Sequence, residues 1–157
     1  MMHIKSNKKA QSSLELLITL SFGLVILLPL VILAFLQIAN SASALAVTEA
    51  QEAASKLASV STVVGAQGYP AKELVLIQIP PNINNIYVGT QTNGVGHVIT
   101  FLVNTNAGVS YVTAYTPVNV SGYIQQLSQT GTYLLNVSAQ SSCPSNAAVF
   151  CVYIKPA

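Results

Sequence analysis

The sequence predicts an α+β protein in which one long N-terminal helix precedes a small antiparallel β-domain. Two features of the sequence predict this class. An apolar stretch near the start continues into an alanine-rich segment with helical spacing, and the remainder consists of short β-branched and aromatic runs between Gly, Pro, Asn and Ser. The 157 residues provide for about one domain and one appended segment.

The composition argues against catalysis and against nucleic-acid binding. Charged residues make up 6% of the chain, against about 25% in ordinary soluble domains, and 52% of the residues are hydrophobic. The acidic and histidine side chains are Glu15, Glu49, Glu52, Glu73, His3 and His97. Catalytic and metal sites draw on clusters of such groups, and nucleic acid requires a basic patch rather than a formal charge of +2. We therefore expect no enzyme, no cofactor or metal ion, and no nucleic-acid partner.

The apolar stretch is long enough to cross a membrane as a helix. Residues 14–38 contain a single charge, Glu15, and about 25 helical residues span the ~30 Å of hydrocarbon in a bilayer. Pro29 lies inside this stretch and is expected to kink the helix or to release backbone hydrogen bonds locally.

The charges that flank the apolar stretch predict its orientation. Lys5, Lys8 and Lys9 precede it, and the next charge after Glu15 is Glu49. Because cytoplasmic flanks carry an excess of Lys and Arg, the N-terminus is expected in the cytoplasm, with residues 40–157 outside.

The same stretch also allows two simpler interpretations, a plain single-span anchor or a secretory signal.

A secretory signal would be cleaved after the small residues Ala42, Ala44 or Ala46, but its apolar core is typically ~7–15 residues long. The segment KKAQSSLELL, residues 8–17, differs from both simpler interpretations. It resembles the class III signal peptide of archaeal type IV pilin-like proteins, in which a short basic leader ends in a small residue ahead of a Q-x-S-x-E type sequence and an apolar helix.

The resemblance holds residue by residue over about ten positions. Lys8 and Lys9 match the basic pair, and Ala10 matches the last residue of the leader. Gln11 matches the new N-terminus that cleavage creates. Ser13 and Glu15 match the serine and the glutamate of the pattern. Many relatives have glycine where Ala10 stands, and this small departure leaves the cleavage plausible. The resemblance implies that residues 1–10 are a leader removed by a membrane prepilin peptidase.

The resemblance also implies a function and a set of partners. Pilin helices are first stored in the membrane and then pack with copies of themselves in an extracellular filament, which a pilus assembly ATPase and a membrane platform protein build for adhesion or surface contact. The competing interpretation is a membrane-tethered surface-binding protein that carries the same leader without polymerising. A head with a concave aromatic pocket would favour that alternative.

Glu15 is the residue to which the resemblance assigns an assembly role. A carboxylate near the centre of a bilayer costs roughly 2.5–3.5 kcal/mol, and less at the interface. Cleavage before Gln11 would create an ammonium group four residues away on the same helical face, and a staggered neighbouring helix could present its own. In pilins, the latter pairing registers an incoming subunit. In the precursor Glu15 could simply lie among headgroups, and cyclisation of Gln11 would remove the charge of its partner.

The helical pattern continues beyond the apolar stretch. The residues that recur at intervals of three and four are Ala46, Ala50, Ala53, Leu57, Val60 and Val64. This spacing predicts one amphipathic face, which can pack on the protein's own β-domain. Gly65, Gly68 and Pro70 are expected to end the helix, which gives a predicted helix over residues 11–64 and a linker over residues 65–72.

Residues 73–157, which we call the head, carry six predicted strands. They span residues 73–79, 85–90, 97–104, 109–116, 131–138 and 147–155. Their composition and spacing predict a β-sandwich-like antiparallel fold or a curved sheet wrapped against the helix.

The head contains two further kinds of candidate site. Cys143 and Cys151 are the two cysteines of the chain, and outside the cell such a pair is expected to form a disulfide, although two reduced buried thiols are the alternative. Asn119 and Asn136 begin the sequons N-V-S, which predict glycosylation if the head is outside.

Overall fold

A computed structural model describes residues 8–92, 94–144 and 149–157. Over these ranges the chain forms one helix and six strands. They are α1 (Lys8–Gln67), β1 (Lys72–Ile79), β2 (Ile83–Val88), β3 (Gly96–Thr105), β4 (Gly108–Gly122), β5 (Gly131–Gln140) and β6 (Cys151–Pro156). The α+β class predicted from the sequence is confirmed.

The chain divides into two units within α1. The first unit ends at Ser41, and the second comprises Ala42–Ala157. The second unit therefore contains the amphipathic half of α1 together with all six strands.

Both ends of α1 extend beyond the predicted helix. At its start, Lys8, Lys9 and Ala10 are already helical, and Lys and Ala are both good helix formers. At its end, Gly65 remains inside the helix and Gly68 ends it. Gly68 has a φ of 73°, and its amide donates to the Val64 carbonyl at 3.2 Å, as in a glycine C-cap.

Two unusual helix residues, Gly65 and Pro29, have different consequences for α1. A Cβ atom at Gly65 would lie 2.8 Å from a methyl group of Val118, so glycine lets the helix approach β4 closely. Pro29 does not end the helix, which is continuous through it. Because proline has no N–H, the carbonyl of Val25 lacks its usual helical donor.

The six strands form one sheet in the order β1-β5-β6-β4-β3-β2. All neighbouring strands are antiparallel except β4 and β6, which pair in parallel from Val120–Val152 to Gly122–Ile154. Buried side chains of the amphipathic half of α1 belong to the same core cluster as those of the sheet. The second layer is therefore the helix, so the sheet packed against the helix is the arrangement observed.

The long strand β4 differs most from its predicted bounds, residues 109–116. Its pairing with β3 shifts, because Gly96 lies opposite Val120 whereas Val98 lies opposite Tyr115. The extra β4 residues between these pairs form a bulge, beyond which β4 continues and pairs with β6. For the strand predicted over residues 147–155, positions 147 and 148 lie outside the described residues, and β6 begins at Cys151.

The core of the second unit lies between the sheet and a face of α1 formed mainly by small residues. The buried residues of α1 are Ala46, Ala50, Ala53, Ala54, Leu57, Ala58, Ser61 and Val64. They include five of the six residues predicted on the amphipathic face, and Val60 is partly buried. Larger side chains come mainly from the strands, among them Phe101, Ile77 and Ile154. Alanine on the helix leaves room for these larger side chains.

Two polar contacts fasten the flanks of α1 to the strands. The Lys56 ammonium donates a hydrogen bond to the Leu76 carbonyl of the edge strand β1 at 2.8 Å. The backbone amide of Asn106 donates a hydrogen bond to the Ser43 hydroxyl at 3.4 Å. A lysine over an edge strand also discourages further strands from pairing there.

One buried side chain is not satisfied by this packing. Ser61 is 0% exposed on the core face of α1, and its hydroxyl oxygen has no hydrogen-bond partner. A buried hydroxyl without a partner costs free energy that a methyl group would not.

We therefore expect Ser61→Ala to stabilise the protein by about 1 kcal/mol, because alanine removes the unsatisfied hydroxyl at nearly constant volume. The free energy of unfolding would be measured on the full chain in mild detergent by urea denaturation, followed by tyrosine fluorescence. Ser59→Ala is the matched control, since Ser59 is exposed on the same helix and donates to the Ser55 carbonyl at 2.9 Å. Equal effects of the two substitutions would mean that helix propensity alone is responsible.

Candidate functional site

The surface of the first unit is the most unusual feature of the protein. Between residues 12 and 42 every residue is exposed except Gly23, which is partly exposed. The large apolar side chains between Leu14 and Ile38 are 49–69% exposed. The most apolar 18-residue window has a mean hydropathy of 2.9, and 0% of it is buried. This part of α1 is therefore long and apolar enough to cross a membrane.

The apolar residues of this segment surround the helix rather than forming a stripe. The run from residue 24 to residue 36 contains no polar side chain. A helix that is apolar on all sides requires an apolar environment on all sides, which lipid or a bundle of other helices provides. We call residues 12–41 the apolar segment.

Glu15 is the one ionisable side chain of the apolar segment, and it lies near its start. The side chain is exposed, and the backbone carbonyl of Glu15 accepts a hydrogen bond from the Thr19 hydroxyl at 2.8 Å. The Thr19 hydroxyl is thereby satisfied within the helix, as is common for Ser and Thr in apolar helices. If this segment is buried, the charge of the Glu15 carboxylate has to be compensated.

The predicted processing residues lie in the first turn of α1. Lys8, Lys9, Ala10 and Gln11 are helical, whereas residues 1–7 of the predicted leader lie outside the described residues. Cleavage of the Ala10–Gln11 bond stays a prediction.

The disulfide predicted between Cys143 and Cys151 is present in the structure. The two Cα atoms are 5.6 Å apart, and both residues are buried. The Cys143 amide also donates to the Val149 carbonyl at 3.0 Å, which closes the same short loop through the backbone. The pair ties the segment after β5 to the first residue of β6.

The two sequon asparagines lie on different strands. Asn119 is on β4, where its side-chain amide donates to the Phe150 carbonyl at 3.3 Å. Asn136 is on β5, and its side-chain oxygen is buried without a hydrogen-bond partner. Both residues are half-buried. Glycosylation of either remains a prediction.

Two open grooves flank the helix in the second unit. A groove of about 310 Å³ beside β1 is lined by the charged residues Glu49, Glu52 and Lys56. A groove of about 370 Å³ beside β4 is lined by small and uncharged polar residues and by Tyr115. The ring of Tyr115 stacks on His97, with ring centroids 6.0 Å apart. Within the described ranges no three His, Cys, Asp or Glu residues come together in a way that could hold a metal ion.

Comparison with protein-family models, with curated proteins and with solved structures finds no match to this chain. The apolar segment and the residues around Gln11 are therefore the features of the chain that bear on its function.

Sequence reasoning missed the exposed leucines of the head. Leu74, Leu76 and Leu134 are 59%, 57% and 43% exposed. Residues 74–77 form a continuous apolar run, Leu-Val-Leu-Ile, so alternation of polar and apolar residues could not reveal which side chains point outward. Sequence reasoning also missed the contact of Lys56 with β1, because this contact depends on where the edge strand lies in the folded protein.

We expect replacement of both Cys143 and Cys151 by alanine to lower the free energy of unfolding by about 2–3 kcal/mol, the chain-entropy value for so short a loop. Alanine is preferred to serine because both positions are buried. Urea denaturation of the full chain in detergent measures the change. Wild-type protein reduced with a phosphine serves as the control and should lose a similar amount, whereas an unchanged stability after reduction would contradict the prediction.

Proposed function

We propose that the protein is a structural subunit of a surface filament of the archaeal type IV pilus kind. The leader is removed before Gln11, and the apolar segment then passes from the membrane into a helical filament core. The observation that carries the proposal is the apolar segment itself, which is exposed on all sides and whose first residues overlap the sequence that resembles a class III signal peptide.

The proposed transfer from lipid to a helix bundle requires little change in solvation. Both environments are apolar, so association depends on packing between helices rather than on the hydrophobic effect. Gly23, Ala34 and Ala39 are small residues that permit close approach of a neighbouring helix. A Cβ atom at Gly23 would meet no atom within 4 Å in the isolated chain, so this position has room for a neighbour.

Glu15 supplies the charge that aligns one subunit with the next in this proposal. In the precursor the carboxylate can remain among headgroups at the edge of the membrane. In a dry helical core it needs a partner, and the N-terminal ammonium of a neighbouring Gln11 is the cation that cleavage creates. A buried charge without a partner is costly, so the pair penalises subunits that enter in the wrong register.

Neither of the two grooves described above favours a tethered binding protein over a filament subunit. A surface receptor would be favoured by a concave pocket lined with aromatic side chains. The groove beside β4 is instead open and is lined by small and hydroxyl-bearing residues together with Tyr115. The groove beside β1 is lined by charged side chains and by Ala53, Ile77 and Gln78.

We expect the mature protein to begin at Gln11, with or without cyclisation of the new N-terminal glutamine. Intact-mass and N-terminal peptide measurements on shed cell-surface material would test this, with the whole-cell membrane fraction as the reference for the precursor. An intact Met1 would contradict the proposal because the charged leader would remain on the helix. Cleavage near Asn40 would contradict it because the apolar segment would be lost.

We expect Glu15→Gln to be cleaved and inserted normally but to reduce filament yield about tenfold or more. The loss follows because removal of one partner leaves the neighbouring ammonium buried without compensation, which costs more than the ~1.4 kcal/mol that corresponds to a factor of ten. Glu15→Leu should insert at least as well and assemble no better. Yield would be measured by electron microscopy and by quantitation of sheared filaments.

Glu52→Gln is the matched control for this experiment, because Glu52 is an exposed glutamate in the second unit of the same helix. It should assemble at the wild-type level. If Glu15→Gln and Glu15→Leu are processed and also assemble at that level, Glu15 has no aligning role.

A further inference from the structure

Three leucines form a small apolar patch on the outward face of the sheet. Leu76 on β1 lies directly opposite Leu134 on β5, and Leu74 lies opposite Asn136. The alternate residues of these strands, such as Val75 and Leu135, point inward and are buried. We call Leu74, Leu76 and Leu134 the leucine patch. Nothing in the described chain covers these side chains, which are 43–59% exposed.

Asn136 lies on the same outward face and borders the leucine patch. It is the cross-strand partner of Leu74 and is two residues from Leu134, and on the other side it pairs with Lys155 of β6. Directly opposed side chains of an antiparallel pair have Cβ atoms about 4.5–5.5 Å apart. A group attached to Asn136 would therefore lie over the leucines.

The remaining sequon residue has the placement that modification needs. Ser138 is two residues after Asn136, so both side chains leave the same face of β5. The Ser138 hydroxyl donates to the Tyr153 carbonyl at 3.4 Å and accepts from the Gln140 amide at 3.2 Å. Strand pairing engages the backbone of β5 and leaves this outward face open.

The other sequon is less suitable. The Asn119 side-chain nitrogen, the atom that would receive a sugar, donates to the Phe150 carbonyl. The middle residue is 0% exposed in both sequons, but Ser121 is 2% exposed where β4 pairs with β6, whereas Ser138 is half-buried. No leucine patch adjoins Asn119 within β4, whose neighbouring residues at this end are buried or half-buried.

We propose that Asn136 carries an N-linked glycan and that this glycan covers the leucine patch. The proposal depends on the head being outside the membrane, as in the proposed function. The Asn136 side-chain nitrogen forms a bond to the anomeric carbon of a lipid-linked oligosaccharide, supplied by a membrane oligosaccharyltransferase. The bond from that carbon to the donor phosphate oxygen breaks, the lipid phosphate leaves, and one amide proton passes to solvent.

A glycan suits this patch better than a second copy of the chain. Three half-exposed leucines provide a small part of the ~800 Å² per partner that a stable protein–protein interface buries. Sugar rings present C–H faces to apolar side chains and many hydroxyl donors to acceptors.

Mass spectrometry of chymotryptic peptides from the full-length protein, purified from its native cells, tests the modification. Cleavage after Tyr115, Tyr123 and Tyr133 separates the two sequons onto different peptides. We expect a glycan mass on the Asn136 peptide at higher occupancy than on the Asn119 peptide. Ser138→Ala should abolish this mass, and Ser138→Thr, which keeps the sequon, should retain it. An unmodified Asn136 peptide from cell-surface material would overturn the proposal.

Hydroxyl-radical labelling of the same full-length protein tests whether the glycan covers the leucines. In Asn136→Gln, labelling of the leucine patch should rise about twofold or more because exposed apolar side chains become accessible to the reagent. Tyr111, which is exposed on β4, is the internal control, and Asn119→Gln is the matched variant. Unchanged leucine labelling in Asn136→Gln overturns the covering role.

The outcome is distinguishable from failure of the filament proposal. Glycan mass and leucine labelling are measured on dispersed subunits, whereas the Gln11 N-terminus and filament yield are scored separately. Leucines that are fully labelled in dispersed, glycosylated wild-type subunits but are protected in filaments would overturn the proposal in favour of a second copy over the patch.

Discussion

The physical constraint on which this protein depends is the burial of a helix that its own chain does not bury. The apolar segment exposes apolar side chains around its whole circumference, and the described chain provides no second layer for it. Such a surface is unstable in water at roughly 25 cal/mol per Å² of exposed apolar area. Lipid or a bundle of other helices is an environment that could bury this surface. A charge at position 15 makes these two environments different, because headgroups solvate a carboxylate and a dry bundle does not.

The second half of the same helix, in contrast, is buried on one face by the protein itself. From Ala46 onward one face is buried against the sheet, and alanine is its commonest residue. Alanine contributes little apolar area of its own, but it lets the strands bring larger side chains such as Phe101 close to the helix axis. At the end of the helix, Gly65 also permits a close approach, because Val118 occupies the space that a Cβ atom would need. The unsatisfied Ser61 hydroxyl is the exception on this face.

The sequence predicted the helix, the α+β class and the existence of all six strands because these depend on local periodicity and composition. The buried helix face could be predicted for the same reason, with Val60 less buried than the spacing indicates. The extension of β4 beyond residue 116 could not, since it depends on a bulge set by pairing with β3 and on the distant strand β6. The outward position of Leu74 and Leu76 was hidden by an apolar run without alternation. For the candidate site, the processing and assembly residues come from a ten-residue resemblance and stay predictions. The contact of Lys56 with an edge carbonyl required the folded arrangement.

The position of β6 in the sheet has a consequence for the order in which the head can form. β6 follows the other five strands in the chain, yet it lies in the middle of the sheet between β5 and β4. Until it arrives, β1 with β5 and the group of β2, β3 and β4 are two separate pieces, each with an open edge. Joining them requires contacts between residues far apart in sequence, which form slowly. A chain that lacks its last strand therefore cannot hold a finished head, so the two pieces join into one sheet only after β6 has been added.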